Sequence, residues 1–499
     1  MSDEVSPPIS LGGAAARGGV VIGAVGLIEN AVQFLRALVL ARILSPADFG
    51  LMGMALIAMQ AGESLSQTGF NRALVQKKVG AEGYLDTVWV ICALRGAALA
   101  LLLFLFAPPI GVFFKTPEAV PIIRSLSLVF FLNGLVNPAL NILERDLHFV
   151  RCSVPRVAAI VADLAVSVSL ALVFRNVWAM VWGYLSGRLV EIATSYLVRP
   201  YWPAMRLRRE KVKELYQFGR HITRATAAEY FMQQTDKACI GHLLGAESLG
   251  LYSFAWRLAS LPAAAVGHVV SSVAFPVFSR VQDDITRLQA GYLRALGIMT
   301  ALTIPASMGL ASVASDLVSV AFGAKWMAMI PSFHVLCLFG AFVALFHAIA
   351  AIVAGVGRPE IGARGFYLFL GLLAIPIYPA IKMGGILGAA WCMASAAIIA
   401  FLALLVAGTK VVGGSLASVA RVMAGPIGAS LVMAAVLHVV RGLLPSGPSW
   451  GSLTFEVVLG AGVYVGVAAS LDHVFDAGVM SSLRSAFKTA RSPRAGTIQ

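Results

Sequence analysis

Apolar runs and short polar connectors alternate along the whole chain. Each run is about 20 residues long, which is the length that crosses the hydrocarbon core of a bilayer as an α-helix. The pattern therefore predicts an all-α integral membrane protein with about 14 transmembrane helices. The predicted spans lie near 20–43, 49–71, 84–107, 119–143, 153–174, 177–198, 216–241, 249–276, 292–314, 328–354, 363–382, 385–408, 419–441 and 452–472.

One segment of the chain occurs twice. Arg36–Val75 holds an apolar helix, a polar break at Leu44–Asp48 and a second apolar helix, and a weaker copy lies at Cys239–Ala259. Aligning the two copies pairs Leu44 with Leu244, Gly50 with Gly250, Leu51 with Leu251 and Ala55 with Ala255. Extending the alignment backwards also pairs Glu29 with Glu229 and Gln33 with Gln233. Because matching polar residues are rare inside apolar helices, we interpret the pattern as an internal duplication.

The duplication predicts two pseudo-symmetric lobes of six helices each, followed by two C-terminal helices. The lobes are expected at 1–198 and 216–410, with a basic cytoplasmic linker at 199–215, two further spans within 411–474 and a basic cytoplasmic tail at 475–499. The linker is too polar to insert, and Tyr201 and Trp202 are expected at the depth of the lipid headgroups.

Composition excludes a soluble protein. The chain is 59% apolar and 12% charged, whereas soluble domains carry about 25% charged residues. The net charge of +14 does not point to a nucleic-acid partner, because the basic residues are concentrated in the connectors and not on one basic face. In the predicted topology, basic residues on the side of the termini outnumber those on the other side by roughly four to one. Both termini are therefore predicted to be cytoplasmic.

Neither a metal site nor a cofactor is expected. The five cysteines are scattered without a CxxC motif, and the chain lacks the Gly-rich loop with Lys-Ser/Thr that holds nucleotide phosphates. By this topology the outward loops are short, so they offer no place for a catalytic domain. We therefore predict that the protein is not an enzyme and that transport is powered by an ion gradient, the membrane potential or the substrate gradient.

Ionised residues at membrane depth are the candidates for function. Each costs at least about 2.5–3.5 kcal/mol when it faces lipid at the bilayer centre, so a water-filled cavity or mutual pairing is expected. Candidates for a substrate cavity are Glu29, Gln33, Arg36, Arg224, Glu229, Gln233, Asp236 and Arg257. Glu29, Gln33 and Arg36 share one helix face, and the second copy repeats that spacing. The alternative is that both sets are structural hydrogen-bond networks.

Three other features of the predicted spans are used below. Asp163 and Glu63 are candidate ion-coupling residues, because each is an acidic residue within a predicted span. Arg188 and Glu191, three residues apart on one helix, are expected to form an ion pair. Pairs of glycines four residues apart, such as Gly183 and Gly187, favour close helix packing in lipid.

The segments LARILSPADFGLMGMA at Leu40–Ala55 and TGFNRALVQKK at Thr68–Lys78 resemble one family. It is the polysaccharide transporter (Wzx-type flippase) branch of the multidrug/oligosaccharidyl-lipid/polysaccharide exporter superfamily, in particular its colanic-acid and exopolysaccharide group. The core of the resemblance is R-x-L-S-P-x-D-F-G, from Arg42 to Gly50. The motif marks a feature of the fold, with Pro46 ending the first helix and Asp48 capping the second.

The resemblance implies a central cavity between two lobes, alternating access and a place in the bacterial inner membrane. The implied substrate is an undecaprenyl-diphosphate-linked oligosaccharide that moves from the inner to the outer leaflet for lipopolysaccharide or exopolysaccharide synthesis. Membrane lipid and the polysaccharide polymerase or export machinery are the implied partners. Two alternatives stay open: a cation-coupled extruder of small molecules from the same superfamily, and a membrane polysaccharide polymerase.

Overall fold

The computed structural model describes residues 11–66, 81–146, 148–206, 209–262, 278, 284–443, 447 and 449–475. Within these ranges the regular structure is helical and contains no strand. The chain divides into two compact units, Met1–Gly250 and Leu251–Gln499. The lobe and linker boundaries derived from the duplication stay predictions.

Where the structure describes it, the first unit contains seven helices and most of an eighth. These are α1 (Leu11–Ile43), α2 (Pro46–Ser66), α3 (Leu85–Phe113), α4 (Ala119–Gly134), α5 (Leu140–Arg145), α6 (Phe149–Phe174), α7 (Trp178–Val198) and α8 (Arg209–Ala259), which continues into the second unit. Within the unit α6 packs against α1 and α7, and α4 packs against α2, α3 and α7.

The break between α1 and α2 is a capping box centred on Ser45. The Asp48 backbone N–H donates to Ser45 Oγ at 3.3 Å, and Asp48 Oδ2 accepts from the Ser45 backbone N–H at 2.9 Å and from Ser45 Oγ at 2.6 Å. The N-cap is therefore Ser45. Asp48, at the third helical position, accepts a hydrogen bond from the backbone N–H of this N-cap residue. Pro46 occupies the first helical position, where its missing N–H costs nothing.

The second copy of the repeat breaks at the corresponding place. Gly245 interrupts α8 with φ 81° and ψ −171°, a conformation that a residue with a Cβ rarely adopts. In the alignment of the two copies Gly245 pairs with Ser45, so both copies turn at the same step. The duplication therefore predicted the position of this break.

The two breaks meet in a reciprocal contact inside the first unit. A Cβ on Gly50 would lie 1.7 Å from the Ala246 carbonyl oxygen, and a Cβ on Gly250 would lie 1.9 Å from the Pro46 carbonyl oxygen. Gly50 pairs with Gly250 in the repeat, and Pro46 pairs with Ala246. A contact in which each residue meets the partner of the other is the signature of a two-fold axis. Within the first unit, residues 46–50 and 246–250 are thus related by a local pseudo-two-fold axis.

Part of the segment after α7 is bound to α3. Asp86 Oδ1 accepts hydrogen bonds from the Tyr201 hydroxyl at 2.5 Å and from the Ala204 backbone N–H at 3.1 Å. Burial, together with the hydrogen bond to Asp86 and its negative charge, raises the pKa of the Tyr201 phenol, which therefore stays a donor. Trp202 is 92% exposed. Asp86 holds the Tyr201 hydroxyl against the protein, and the depth of both aromatic residues at the lipid headgroups stays a prediction.

In its described residues, the second unit contains the end of α8 and seven further helices. They are α9 (Ile285–Ser312), α10 (Ala314–Leu317), α11 (Ile330–Gly355), α12 (Pro359–Ala374), α13 (Ile377–Val411), α14 (Leu416–Leu443) and α15 (Trp450–Phe475). A π-helical turn and a 3-10 turn connect α10 to α11. Trp326 is fully buried there, with its ring 4.4 Å from that of Phe254.

Seven helices in the described part of the chain are long and apolar enough to cross a membrane. They lie at Glu82–Phe113, Phe149–Phe174, Ile285–Ser312, Ala324–Gly355, Ile377–Val411, Leu416–Leu443 and Trp450–Leu471. This confirms an all-α, multi-pass membrane fold, while the number of 14 spans stays a prediction. The helices α8 and α13 each extend over two predicted spans or parts of them. A glycine with positive φ interrupts each helix, Gly245 in α8 and Gly385 in α13.

Candidate functional site

The best-defined polar cluster of the first unit joins α1 and α6. Arg36 Nη2 lies 3.0 Å from Asp163 Oδ1, and Arg36 Nε donates to Ser167 Oγ at 3.2 Å. Both charged side chains are largely enclosed, with 16% and 18% exposure. Arg36 was predicted as a cavity residue and Asp163 as an ion-coupling residue. The structure brings these two candidates into one ion pair.

Two glycines on α7 lie against Asp163 of α6. A Cβ on Gly183 would lie 2.7 Å from Asp163 Oδ1, and a Cβ on Gly187 would lie 3.2 Å from Asp163 Cβ. The glycine pair therefore lets α6 and α7 approach closely enough to enclose the carboxylate. The Ser167 hydroxyl also donates to the Asp163 carbonyl oxygen within α6. Asp163 is thus held by its own helix, by Arg36 and by the glycine surface of α7.

The other α1 candidates lie along the same helix. Glu29 Oε1 lies 3.8 Å from Arg156 Nε, with the glutamate side chain 17% exposed and the arginine 68% exposed. Gln33 is exposed. The face predicted from the spacing of these residues therefore carries one enclosed pair at Arg36, one looser pair at Glu29 and an amide between them.

The candidates of the second copy are described only in part. Asp236 is fully buried and Gln233 is exposed, while the side chains of Arg224 and Glu229 lie outside the described residues. Arg257 is exposed and belongs to the second unit. For this reason the predicted facing of the two polar sets across a cavity is untested.

Two further predicted acids have arginine partners. Glu63 Oε1 lies 2.5 Å from Arg95 Nη2, and Arg95 Nη1 also donates to the Ser66 carbonyl oxygen at 3.1 Å. Glu63, proposed as an ion-coupling residue, therefore also joins α2 to α3. The predicted pair of Arg188 and Glu191 is confirmed at 2.5 Å.

Sequence reasoning missed two polar features. In the second unit, Arg441 of α14 lies 2.6 Å from Asp316 of α10; the two residues are 125 positions apart, so no helical spacing indicates the pair. In the first unit, a cavity of about 170 Å³ is lined by Asn133, Asn137, Asn141, Glu144, Arg156 and Trp89, among others. The spacing of four residues between the asparagines was the one available signal. Across the described residues, no group of three or more His, Cys, Asp or Glu side chains could hold a metal ion.

Comparison with known sequences gives a consistent picture. The model of the family described as "Polysaccharide biosynthesis protein" matches residues 39–331. The chain is 26% identical to the lipopolysaccharide biosynthesis protein WzxC of Escherichia coli K12, over 73% of each chain. It is 28% identical to the succinoglycan biosynthesis transport protein ExoT of Rhizobium meliloti, over 72% of each chain. It is 25% identical to the teichuronic acid biosynthesis protein TuaB of Bacillus subtilis, over 67% of this chain and 70% of TuaB.

Solved structures show the same fold. The inward closed conformation of the lipid II flippase MurJ has a TM-score of 0.73 at 15% identity and covers 91% of this chain and 99% of that one. An inward-facing multidrug resistance MATE transporter of the MOP superfamily has a TM-score of 0.58 at 18% identity, over 78% and 99% of the two chains. At these identities the likeness concerns the fold alone.

Proposed function

We propose, on the premise that the chain belongs to the polysaccharide biosynthesis protein family, that it is a flippase of the bacterial inner membrane. Its cargo would be an undecaprenyl-diphosphate-linked oligosaccharide, moved from the inner to the outer leaflet without chemical change. The relatives named for lipopolysaccharide, succinoglycan and teichuronic acid synthesis support a polysaccharide cargo in general. The fold shared with a lipid II flippase supports transport over catalysis.

The ion pair of Arg36 and Asp163 is the observation that carries this proposal. It lies between two helices, and Asp163 belongs to one of the apolar helices long enough to span the bilayer. Charges at such depth are expensive and mark substrate or ion pathways. A guanidinium binds diphosphate oxygens in a bidentate manner, and so Arg36 is suited to the diphosphate of the cargo.

The same pair offers a way to couple transport to protons. While Asp163 is ionised, it holds Arg36 at 3.0 Å and competes with a phosphate for the guanidinium. A proton on Asp163 would remove that competition and release Arg36 to the cargo. Binding of the diphosphate and protonation of Asp163 would then favour each other. The diphosphate takes Arg36 away from Asp163, which makes Asp163 easier to protonate, and the proton frees Arg36 for the diphosphate.

The other candidate residues have roles in binding the cargo in this scheme. We assign Arg224 and Arg257 to the attraction of the diphosphate, and Glu29, Gln33, Glu229 and Gln233 to the sugar hydroxyls. A dianionic headgroup leaving the cytoplasmic leaflet is favoured by an inside-negative potential by about 2.3 kcal/mol per charge per 100 mV. We place both termini in the cytoplasm, and the flipped cargo would pass to the polysaccharide polymerase or export machinery.

A sidedness assay tests this proposal. Proteoliposomes would contain the purified protein and lipid-linked oligosaccharide extracted from cells that lack it, and a glycosidase added outside would report which leaflet holds the sugar. We expect wild-type protein to expose the inner pool to the glycosidase and Arg36→Gln to leave it protected. A wild-type protein that leaves the inner pool protected would overturn the proposal. Extrusion of a cationic dye without lipid transport would favour the cation-coupled extruder instead.

A further inference from the structure

The cavity of the first unit has no role in the transport scheme above. It lies among α3, the corner between α4 and α5, α6 and α7. Its volume is about 170 Å³, while a single water molecule needs only about 10–15 Å³ of such space. The cavity therefore has room for a small organic ligand.

Three asparagines four residues apart line the cavity, and they differ in what they already bind. Asn137 is fully used: its amide donates to the Ser195 and Arg199 carbonyl oxygens at 3.2 and 2.7 Å and accepts from the Ala139 N–H at 2.9 Å. Asn137 thus fixes the backbone between α4, which carries Asn133, and α5, which carries Asn141.

The two neighbouring amides keep binding capacity. Asn141 donates one hydrogen bond, to the Pro138 carbonyl oxygen at 3.0 Å. Asn133 makes no side-chain hydrogen bond to any residue that the structure describes. Each amide has two donors and one acceptor oxygen, so together they offer several donors and acceptors to a ligand. Neighbouring hydroxyls of a sugar need this combination, because each hydroxyl both donates and accepts.

The indole ring of Trp89 also lines the cavity. Trp89 Nε1 donates to the Tyr196 hydroxyl at 2.9 Å, and that hydroxyl donates to the Leu135 carbonyl oxygen at 2.9 Å. The N–H is therefore satisfied, and the ring is held in one orientation. Its face is apolar and carries the negative end of the ring quadrupole, which suits the C–H face of a pyranose.

The charged side chains that line the cavity are one positive and one negative, once Glu191 is counted with its partner. Glu191 is paired with Arg188 at 2.5 Å, which leaves Glu144 and Arg156 as one charge of each sign. A cavity with this balance favours a neutral sugar over an acidic sugar or an organic cation. Arg156 also lies 3.8 Å from Glu29 of α1, so the cavity adjoins the helix face that carries Arg36.

We propose that this cavity binds one neutral sugar ring of the transported oligosaccharide and makes transport selective for it. The proposal rests on the proposed function and adds a sugar site distinct from the pair of Arg36 and Asp163. Asn133, Asn141 and Glu144 bind hydroxyls, and Trp89 packs against the ring.

Cys152 lines the cavity and serves as a reporter. A variant that keeps Cys152 and replaces the other four cysteines would be treated with N-ethylmaleimide. The first probe is lipid-linked oligosaccharide extracted from cells that lack the protein; the second is undecaprenyl diphosphate without sugar. At a concentration near ten times Kd, the first should slow alkylation about tenfold, because about one tenth of the sites stay free. The second should leave the rate unchanged.

Two variants control this experiment. Asn133→Ala removes no described hydrogen bond, so it should fold as the wild type does and abolish the protection. In the same single-cysteine chain, Asn176→Ala changes an asparagine that does not line the cavity, so it should keep the protection. Native mass spectrometry of the same samples reports binding of each lipid.

The outcomes separate the two proposals. Binding of the oligosaccharide lipid with Cys152 unprotected would overturn the sugar site and leave the flippase proposal standing. Equal protection by both lipids would also overturn the sugar site, because the sugar would then play no part. Failure of the oligosaccharide lipid to bind at all would overturn both proposals.

Discussion

The reciprocal glycine contact gives the sharpest prediction about stability. Gly50→Ala would place a methyl group 1.7 Å from the Ala246 carbonyl oxygen. Side-chain Cβ atoms essentially never approach another atom below 3.0 Å, so the two backbones must separate by roughly the difference. Rotation of a side chain cannot relieve this clash, because the obstacle is a backbone carbonyl.

The expected cost follows from two opposing effects. Overpacking costs about 1–3 kcal/mol, and a rigid obstacle puts this site in the upper part of that range. Replacing a glycine within a helix by alanine otherwise stabilises by roughly 0.5–1 kcal/mol. We therefore expect Gly50→Ala to lower the free energy of unfolding by about 2 kcal/mol. Gly250→Ala should behave alike, since its Cβ would lie 1.9 Å from the Pro46 carbonyl oxygen.

The matched control lies one turn away on the same helix. A Cβ on Gly53 would lie 3.6 Å from Leu249 Cδ2, which is ordinary contact, so Gly53→Ala should be neutral or stabilising. Thermal unfolding of the purified proteins in detergent would compare the three variants with the wild type. The double variant at Gly50 and Gly250 should cost less than the sum of the two, because one separation relieves both clashes. If Gly50→Ala melted with Gly53→Ala at or above the wild type, the close crossing of the repeats would be refuted.

Three further predictions concern the polar contacts. Asp163→Asn should remove the pH dependence of transport, since the carboxylate that competes for Arg36 is gone; initial rates across a pH series would show it. Ser45→Ala should lower the free energy of unfolding by about 1 kcal/mol through the lost cap, as measured by thermal unfolding. A double-mutant cycle of Glu63→Gln and Arg95→Gln should give a coupling free energy of at least about 1 kcal/mol.

Each of these predictions has its own control. Ser167→Ala changes a neighbour of Asp163 without removing a charge, so it should keep the pH dependence; an unchanged pH profile in Asp163→Asn would refute the coupling role. Ser45→Thr keeps the hydroxyl that accepts from the Asp48 N–H and donates to the Asp48 carboxylate, so it should melt near the wild type; equal losses in Ser45→Thr and Ser45→Ala would argue against the cap. A coupling free energy near zero for Glu63 and Arg95 would mean that the observed pair adds nothing to stability.

Periodicity and repetition predicted the helices and the turn of the second copy. The apolar runs follow from the thickness of the bilayer, and the match of Leu44 with Leu244 indicated where α8 would turn. The capping residue was assigned less well: Asp48 was expected to cap α2, but Ser45 does so because its hydroxyl stands before the first turn.

Contacts between distant segments could not be predicted from the sequence. Arg36 and Asp163 were both recognised, but their pairing depends on the way α6 packs against α1, and the two residues are 127 positions apart in the sequence. Gly50 and Gly250 were matched as copies in the sequence. The match does not predict that the two residues lie in contact, because contact requires a two-fold axis that passes between them. The asparagine cavity escaped notice because polar residues at a helix corner have no hydrophobic period to mark them.

The central claim is tested most directly by mass spectrometry of lipid-linked sugars in cells that lack this protein. The account predicts accumulation of a single undecaprenyl-diphosphate-linked oligosaccharide and loss of the surface or secreted polysaccharide, with both restored by the wild-type gene. Normal levels of lipid-linked sugar together with normal polysaccharide would contradict it.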